Sequence, residues 1–270
     1  MRASFEESNH RYGSPRVHED LIEQQERVSR KRVVRLMQED GLVARRRKRY
    51  KLTTMSDHDQ PVAANLLDRR FEADAPNQRW VGDTTEFVIG GSGKLYLAAI
   101  VDLFSRFIVG WAVSAVNDRH VTIAALTAAL KRRCPDVGLL HHSDQGCTYA
   151  SEDYQIVLAQ HGIVCSMSRR GNCHDNAVME SCFSTVKTEL ADRFDSCAQA
   201  KRELFEYIEV FYNQRRRHST LGQISPAAYE RRTREEGMDA MENRTERGFP
   251  PRPHPSVFSE TEERRIAETA

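Results

Sequence analysis

The chain has no C-x-x-C pair, no long apolar run and no phosphate-cradling glycine loop. Each absence removes a class of function. The six cysteines (Cys134, Cys147, Cys165, Cys173, Cys182 and Cys197) stand apart from any suitably spaced histidine pair, so no zinc site is built from sequence neighbours. The opening segment MRASFEESNH carries no apolar secretory stretch, so the thiols are expected to stay reduced in the cytoplasm. The longest apolar runs, LAAIV and FIVGWAV, are too short to span a bilayer, and no membrane partner is expected. The glycine turn GGSG lacks the G-K-[ST] that follows a P-loop. Ser143, Ser166 and Ser168 lack the G-x-S-x-G elbow of a serine nucleophile. Nor is there a global excess of positive charge, since 40 Lys and Arg meet 39 Asp and Glu for a net +1.

What is present is local. With 270 residues, 39% of them hydrophobic, the chain can build one substantial core and a smaller module or two. Residues 27–51 hold eleven Lys/Arg against two acidic residues, a patch of the kind that holds phosphates. Ser14-Pro15 and Ser29 read as helix starts and Gly41 as a helix stop. Two short helices over 14–24 and 29–41 follow, the second decorated by Arg30, Lys31, Arg32 and Arg35. They read either as a helix-turn-helix or as a solvated amphipathic hairpin. Arg45, Arg46, Arg47 and Lys48 come next, in a segment (45–51) expected either to meet a DNA backbone or to be mobile. A second basic cluster is Arg215, Arg216, Arg217 and His218.

Beyond a linker over 55–74 the pattern becomes alternating and β-rich. RWVGDTTEFVI, KLYLAAIVDLF and SRFIVGWAVS predict a three-strand meander. A helix (121–133), a strand (137–143), a helix (151–162), a strand (163–168), a helix (175–191) and a long helix (197–219) complete the reading. This order predicts an α/β fold, a mixed five-stranded sheet flanked by helices. The tail, 232–270, holds four of the nine prolines and few large apolar residues. It is expected to be largely disordered, with at most a frayed helix near 259–268.

Three acidic residues stand in short, sharply bounded segments: Asp83 in RWVGDTTEF, Asp144 in LLHHSDQG and Glu180 in GNCHDNAVMESCFSTVKTEL. Sixty residues separate the first two and 35 the last two. Taken singly, each Asp reads more simply as a cap or turn residue. Taken together, two Asp at strand ends and a Glu on a helix suit two divalent cations that clamp the attacking and leaving oxygens of a phosphodiester. Oxygen ligands favour Mg²⁺ or Mn²⁺. Lys187 lies seven residues after Glu180, so both share a helix face, and it reads as a phosphate grip or as an ordinary surface lysine. Arg169 and Arg170, just before this helix, read as DNA contacts or as exposed loop charge. His141, His142 and His174 read as ligands, bases or hydrogen-bonded support.

Five ordered segments carry a resemblance. RWVGDTTEF, KLYLAAIVDLFSRFIVGW, HHSDQG-x-x-YAS, GI-x-x-SMSRRGNCHDNAVMESCFSTVKTEL and YNQRRRHSTLGQISPAAYE together resemble the second-frame (orfB) transposases of the insertion-sequence-three family. The resemblance covers about residues 75–230. The segment from GSPRVHEDL to GLVARRRK resembles the helix-turn-helix that precedes the core in that family. It implies a retroviral-integrase-type core with a ribonuclease-H-like fold over 75–231, behind a partial helix-turn-helix module over 1–54. It implies that Asp83, Asp144 and Glu180 form the catalytic triad with Lys187 beside them. The implied reaction is metal-dependent strand cleavage, then attack by the freed 3′-hydroxyl. The implied partners are terminal inverted repeats, target DNA, further copies of the chain in a homo-oligomer, and an upstream-frame protein, with nucleoid association when DNA is bound. The alternative is a truncated, catalytically silent DNA-binding remnant.

Overall fold

The computed structural model describes residues 1–45, 62–169 and 173–246. The described residues up to Tyr229 form one compact unit, and those from Glu230 to Glu246 belong to another.

The first unit opens with α1 (Arg2–Glu7), α2 (Ser14–Glu23) and α3 (Arg30–Glu39). Helix α3 starts where Ser29 accepts the Arg32 N–H at 3.3 Å. It stops at Gly41, whose φ of +66° no β-carbon opposes. Helix α2 is capped by Gly13 rather than Ser14; Ser14 and Pro15 take the first two helical positions, where proline's missing N–H is no loss. Val17, Leu21, Val33 and Met37 are buried in the same apolar cluster as Phe211 and Tyr212. The N-terminal helices, expected as a separate module, thus share a core with the rest of the unit.

The sheet follows the order β3-β2-β1-β4-β5. Strands β1 (Arg79–Ile89), β2 (Gly93–Asp102) and β3 (Ile108–Ser114) form the antiparallel meander. Strands β4 (Leu140–Ser143) and β5 (Val164–Met167) run parallel to β1 and to each other. Parallel neighbours need crossovers, and α4 (Arg119–Arg133), α5 (Cys147–Ala150) and α6 (Glu152–Gln160) supply them. The pleat sorts the side chains onto two faces. Val81, Phe87, Leu95, Leu97, Ala99 and Val101 belong to the apolar cluster that takes in α7 (Ala177–Glu189) and α8 (Cys197–Phe205). Trp80 and Ile100 pack on the opposite face with Leu126, Tyr154 and Leu158 of α4 and α6. There α4 lies so close to β3 that a β-carbon at Gly110 would collide with the Ala125 carbonyl.

Several expectations change. A sixth strand, β6 (Arg193–Phe194), pairs in parallel with the end of β1; two residues are too few for a periodic signal. The long helix expected over 197–219 stops at Tyr212, its last stretch, Glu206–Tyr212, opened into a wider π-type turn. Asn213 then turns inward, and its side chain bonds both the N–H and the carbonyl of Ile108, at 2.9 and 3.1 Å. The described part of the expected linker, residues 62–74, is strapped to the core: Ser166 accepts the N–H groups of Leu66 and Leu67 at 2.9 and 3.1 Å. The expected disordered tail begins as helix, since α9 runs Pro226–Glu246. The frayed helix near 259–268 lies outside the described residues.

Candidate active site

Strand pairing sets the first two acidic residues. The parallel ladder of β1 with β4 ends at Val81–His142. Two residues further along the chain stand Asp83, still within β1, and Asp144, just past the end of β4. Asp144 heads a tight loop, where its Oδ1 accepts the Gly146 N–H at 2.9 Å. Asp83 accepts the Thr84 N–H at 2.7 Å. It shares a sheet face with Val81 and Phe87, the face that α7 covers. Helix α7 carries Glu180 in its first turn and Lys187 in its last.

The electrostatics bring these four groups together. Burial pushes the Asp83 carboxyl well above the usual carboxylate range, and the charges of Asp144 and Glu180 push it further. The Thr84 hydrogen bond and the Lys187 ammonium pull the other way. Asp83 keeps some exposure, yet so much protein surrounds it that desolvation dominates. Burial lowers the Lys187 pKa, against the pull of Glu86, Asp192 and Asp83. The ammonium lies 5.5 Å from the centre of the Phe87 ring.

Behind the carboxylates lies a buried polar layer. Ser166 Oγ already accepts two N–H groups, so its own proton goes to His142 Nδ1 at 2.9 Å. His142 Nε2–H then donates to Ser168 Oγ at 3.1 Å, which fixes one neutral tautomer. His141 Nε2 bonds the Tyr154 hydroxyl at 2.7 Å. Burial holds His141 down at about 3 and His142 at about 4. Both histidines therefore serve as hydrogen-bonded support. The side chain of His174 lies outside the described residues.

This leaves an oxygen donor set, whose chemistry suits a hard divalent cation. As they stand, no three His, Cys, Asp or Glu side chains among the described residues are gathered closely enough to enclose an ion. The carboxylates lie in one another's field without meeting at a point.

The basic residues divide. Arg30, Lys31, Arg32 and Arg35 are exposed on α3, and Arg35 lies 3.6 Å from Glu39. Arg45 is exposed as well, although its guanidinium donates to the Glu189 and Leu190 carbonyls. Arg46, Arg47, Lys48 and Arg170 lie outside the described residues. Arg169 does not reach out as an open DNA contact: it pairs with buried Asp175 at 3.0 Å and with Asp68 at 2.9 Å. Arg215 is exposed. Arg216 and Arg217 correct the expectation of a phosphate-binding cluster, because both are buried. Arg216 pairs with Glu189 at 2.7 Å, and Arg217 with Asp20 at 2.6 Å and Glu23 at 2.5 Å. Arginine runs look alike in sequence whether they meet phosphate or carboxylate.

Residues without a role in the sequence reading also shape the site. The Tyr149 hydroxyl lies 3.3 Å from Thr84 Oγ1, and burial followed by the Asp83 charge raises its pKa well above 10. Asp175 holds the start of α7, accepting from Asn65 at 2.8 Å, Arg69 at 3.0 Å, and the main chain and side chain of Arg169 at 3.1 and 3.0 Å. Both sit inside quoted motifs, but only the fold shows what faces them.

Comparison with known proteins agrees in extent with this layout. Residues 1–50 match an HTH-like domain, and residues 73–173 and 161–226 match integrase core domains. The chain is 44% identical to an uncharacterized 31 kDa protein of insertion element IS600 from Shigella sonnei, covering 81% of this chain and 80% of that one. It is 41% identical to the transposase of insertion sequence element IS904 from Lactococcus lactis, covering 86% and 92%. It is 38% identical to transposase InsF of insertion sequence IS3A from Escherichia coli K12, covering 84% and 80%. The fold is ribonuclease-H-like, and the chain belongs to the IS3 family of insertion-sequence transposases.

Proposed function

We propose that the chain is a DNA transposase, a D-D-E polynucleotidyl transferase that cuts an element end and joins it to new DNA. The observation that carries this reading is the single electrostatic cluster of Asp83, Asp144, Glu180 and Lys187 across β1, β4 and α7. Asp83, Asp144 and Glu180 would hold Mg²⁺ or Mn²⁺, two ions in all. Bound there, the metal supplies Lewis acidity and a hydroxide-like water.

The chain's own residues do the rest. Lys187 neutralises a non-bridging phosphate oxygen beside the scissile bond. In the first step water oxygen bonds to phosphorus and the phosphorus–O3′ bond breaks, leaving a 3′-hydroxyl and a 5′-phosphate. In the second step that 3′-oxygen attacks another phosphodiester, whose own O3′ departs with a proton. Each step exchanges one P–O bond for another, so no nucleotide cofactor is required and no protein–DNA bond forms. The exposed face of α3, with Arg30, Lys31, Arg32 and Arg35, lies against DNA, joined by Arg45 to Lys48, Arg170 and Arg215. Terminal inverted repeats and target DNA are the substrates. A homo-oligomer bridges two ends, with an upstream-frame helix-turn-helix protein as a further partner. The work is done in the cytoplasm on nucleoid DNA; among the described residues no helix is long and apolar enough to cross a membrane.

A second reading is a DNA-binding remnant that occupies ends without cutting. Strand transfer of a linear fragment bearing element ends separates the two. Nicked and joined products with wild type but not with Asp144→Asn support the transposase. DNA binding without product in Mn²⁺ supports the remnant.

A further inference from the structure

Helix α7 ends on a glutamate that is almost fully enclosed. Glu189 is 6% exposed, and a negative charge at a helix C-terminus faces the negative end of the helix dipole. Its surroundings offset both costs. Arg216 donates to both carboxylate oxygens at 2.7 Å. The Tyr207 hydroxyl donates at 2.8 Å and Arg16 at 3.0 Å. The orphan carbonyls of the helix end are also met. The Glu189 carbonyl accepts from Arg11 at 3.0 Å and from Arg45 at 3.1 Å, and the Leu190 carbonyl accepts from Arg45. Arg11 is held over the rings of Tyr207 and Phe211, 5.1 and 4.5 Å from their centres.

Two properties of this hub bear on function. Three of its arginines, Arg11, Arg16 and Arg45, come from the N-terminal segment, while Arg216 and Tyr207 come from the region after α7. Glu189 also lies nine residues after Glu180, half a revolution away at about 100° per residue. The N-terminal segment therefore grips the back of the helix whose front carries Glu180 and Lys187.

We infer that Glu189 is a positioning residue through which the docked N-terminal segment sets the placement of Glu180, so that this segment contributes to metal capture as well as to DNA binding. The inference rests on the proposed function in that it takes Glu180 to be a metal ligand. Loosening the grip lets α7 rotate or withdraw, and the first loss is the Glu180 carboxylate at the metal.

The test uses the full chain with Arg11 and Arg16 both changed to Ala. This leaves Glu189 bonded to Arg216 and Tyr207 and leaves the exposed basic residues of α3 intact. Two quantities are read. One is the Mn²⁺ concentration giving half-maximal thermal stabilisation without DNA. The other is the single-turnover rate on a branched DNA. The expected result is a folded protein whose half-saturating Mn²⁺ rises about tenfold and whose rate at limiting Mn²⁺ falls by about ten- to a hundredfold. Excess Mn²⁺ should recover most of that rate, and DNA affinity should be little changed. Unchanged half-saturation overturns the inference, whether or not the rate falls, because a merely structural loss does not act through the metal. If the double variant fails to fold, Arg16→Gln alone is read in the same way. A wild type that gains stability from Mn²⁺ but makes no product sinks the transposase reading and leaves this test standing. A wild type that gains none from Mn²⁺ overturns both.

Discussion

Asp83 and Asp144 each follow the Val81–His142 pair, where the parallel β1–β4 ladder ends, by two residues, and the Asp144 charge reaches the Asp83 carboxyl. The register that builds the core therefore also builds the acidic pair. The arrangement is costly without a counter-ion, since burial and like charge both act on Asp83.

That cost gives a first expectation. A carboxyl whose pKa is raised in the fold destabilises the fold once pH exceeds its unfolded value, and the loss grows until the folded group ionises. In metal-free buffer at neutral pH, Asp83→Asn should be more stable than wild type, while losing all strand transfer. Added Mn²⁺ should stabilise wild type and narrow or reverse the gap. Denaturant titrations with EDTA and with Mn²⁺ check this. A less stable Asn variant in EDTA contradicts it.

Gly146 separates site geometry from stability. Its backbone, at φ −64° and ψ 145°, is open to any L-residue. A β-carbon there would sit 2.9 Å from Asp144 Oδ1, so the carboxylate must move. Gly146→Ala should cut the rate by about tenfold with little change in melting temperature. Equal activity would mean that the Asp144 position is not critical.

The buried histidine layer predicts acid sensitivity. His142 is held neutral, with its pKa depressed to about 4. The unfolded chain takes up a proton near pH 6.5, so stability is full above that value and is lost as pH falls toward 4. The loss should reach about 2 kcal/mol at pH 5. Denaturation at pH 7.5 and pH 5 measures it; His142→Asn should remove its share of the difference, and the share of His141, held at about 3, should remain.

Much of this was legible in advance. Alternation and turn residues marked β1 to β3, since half-buried strands write period two into the sequence. The carboxylates stood in short segments that resemblance could weigh together. The arginines were not legible. Arg216 and Arg217 sit in an RRRH run like any phosphate-binding cluster, but Glu189, Asp20 and Glu23 reach them only through the tertiary fold. The same is true of Asp175, whose partners Asn65 and Arg69 lie more than a hundred residues earlier. The π-type turn at Glu206–Tyr212 was missed because its apolar spacing reads as an ordinary helix.

The split among the basic residues is itself testable. Arg32→Ala on exposed α3 should weaken DNA binding at every sequence, lower the salt slope by about 1 and leave stability unchanged. Arg217→Ala removes a buried guanidinium that bonds Asp20 and the Gln223 carbonyl and should lower stability by about 1–3 kcal/mol with little direct effect on the salt slope. Salt-dependent binding together with thermal melts distinguishes them; a reversed pattern would mean that the two arginines have exchanged roles.

The most direct measurement is Mn²⁺-dependent cleavage and joining of a branched DNA that mimics the strand-transfer product, with wild type beside Glu180→Gln. The account predicts resolved products from wild type, none from the Gln variant, and equal DNA binding by both. Products from both proteins, or DNA binding by both with no product from either, would contradict it.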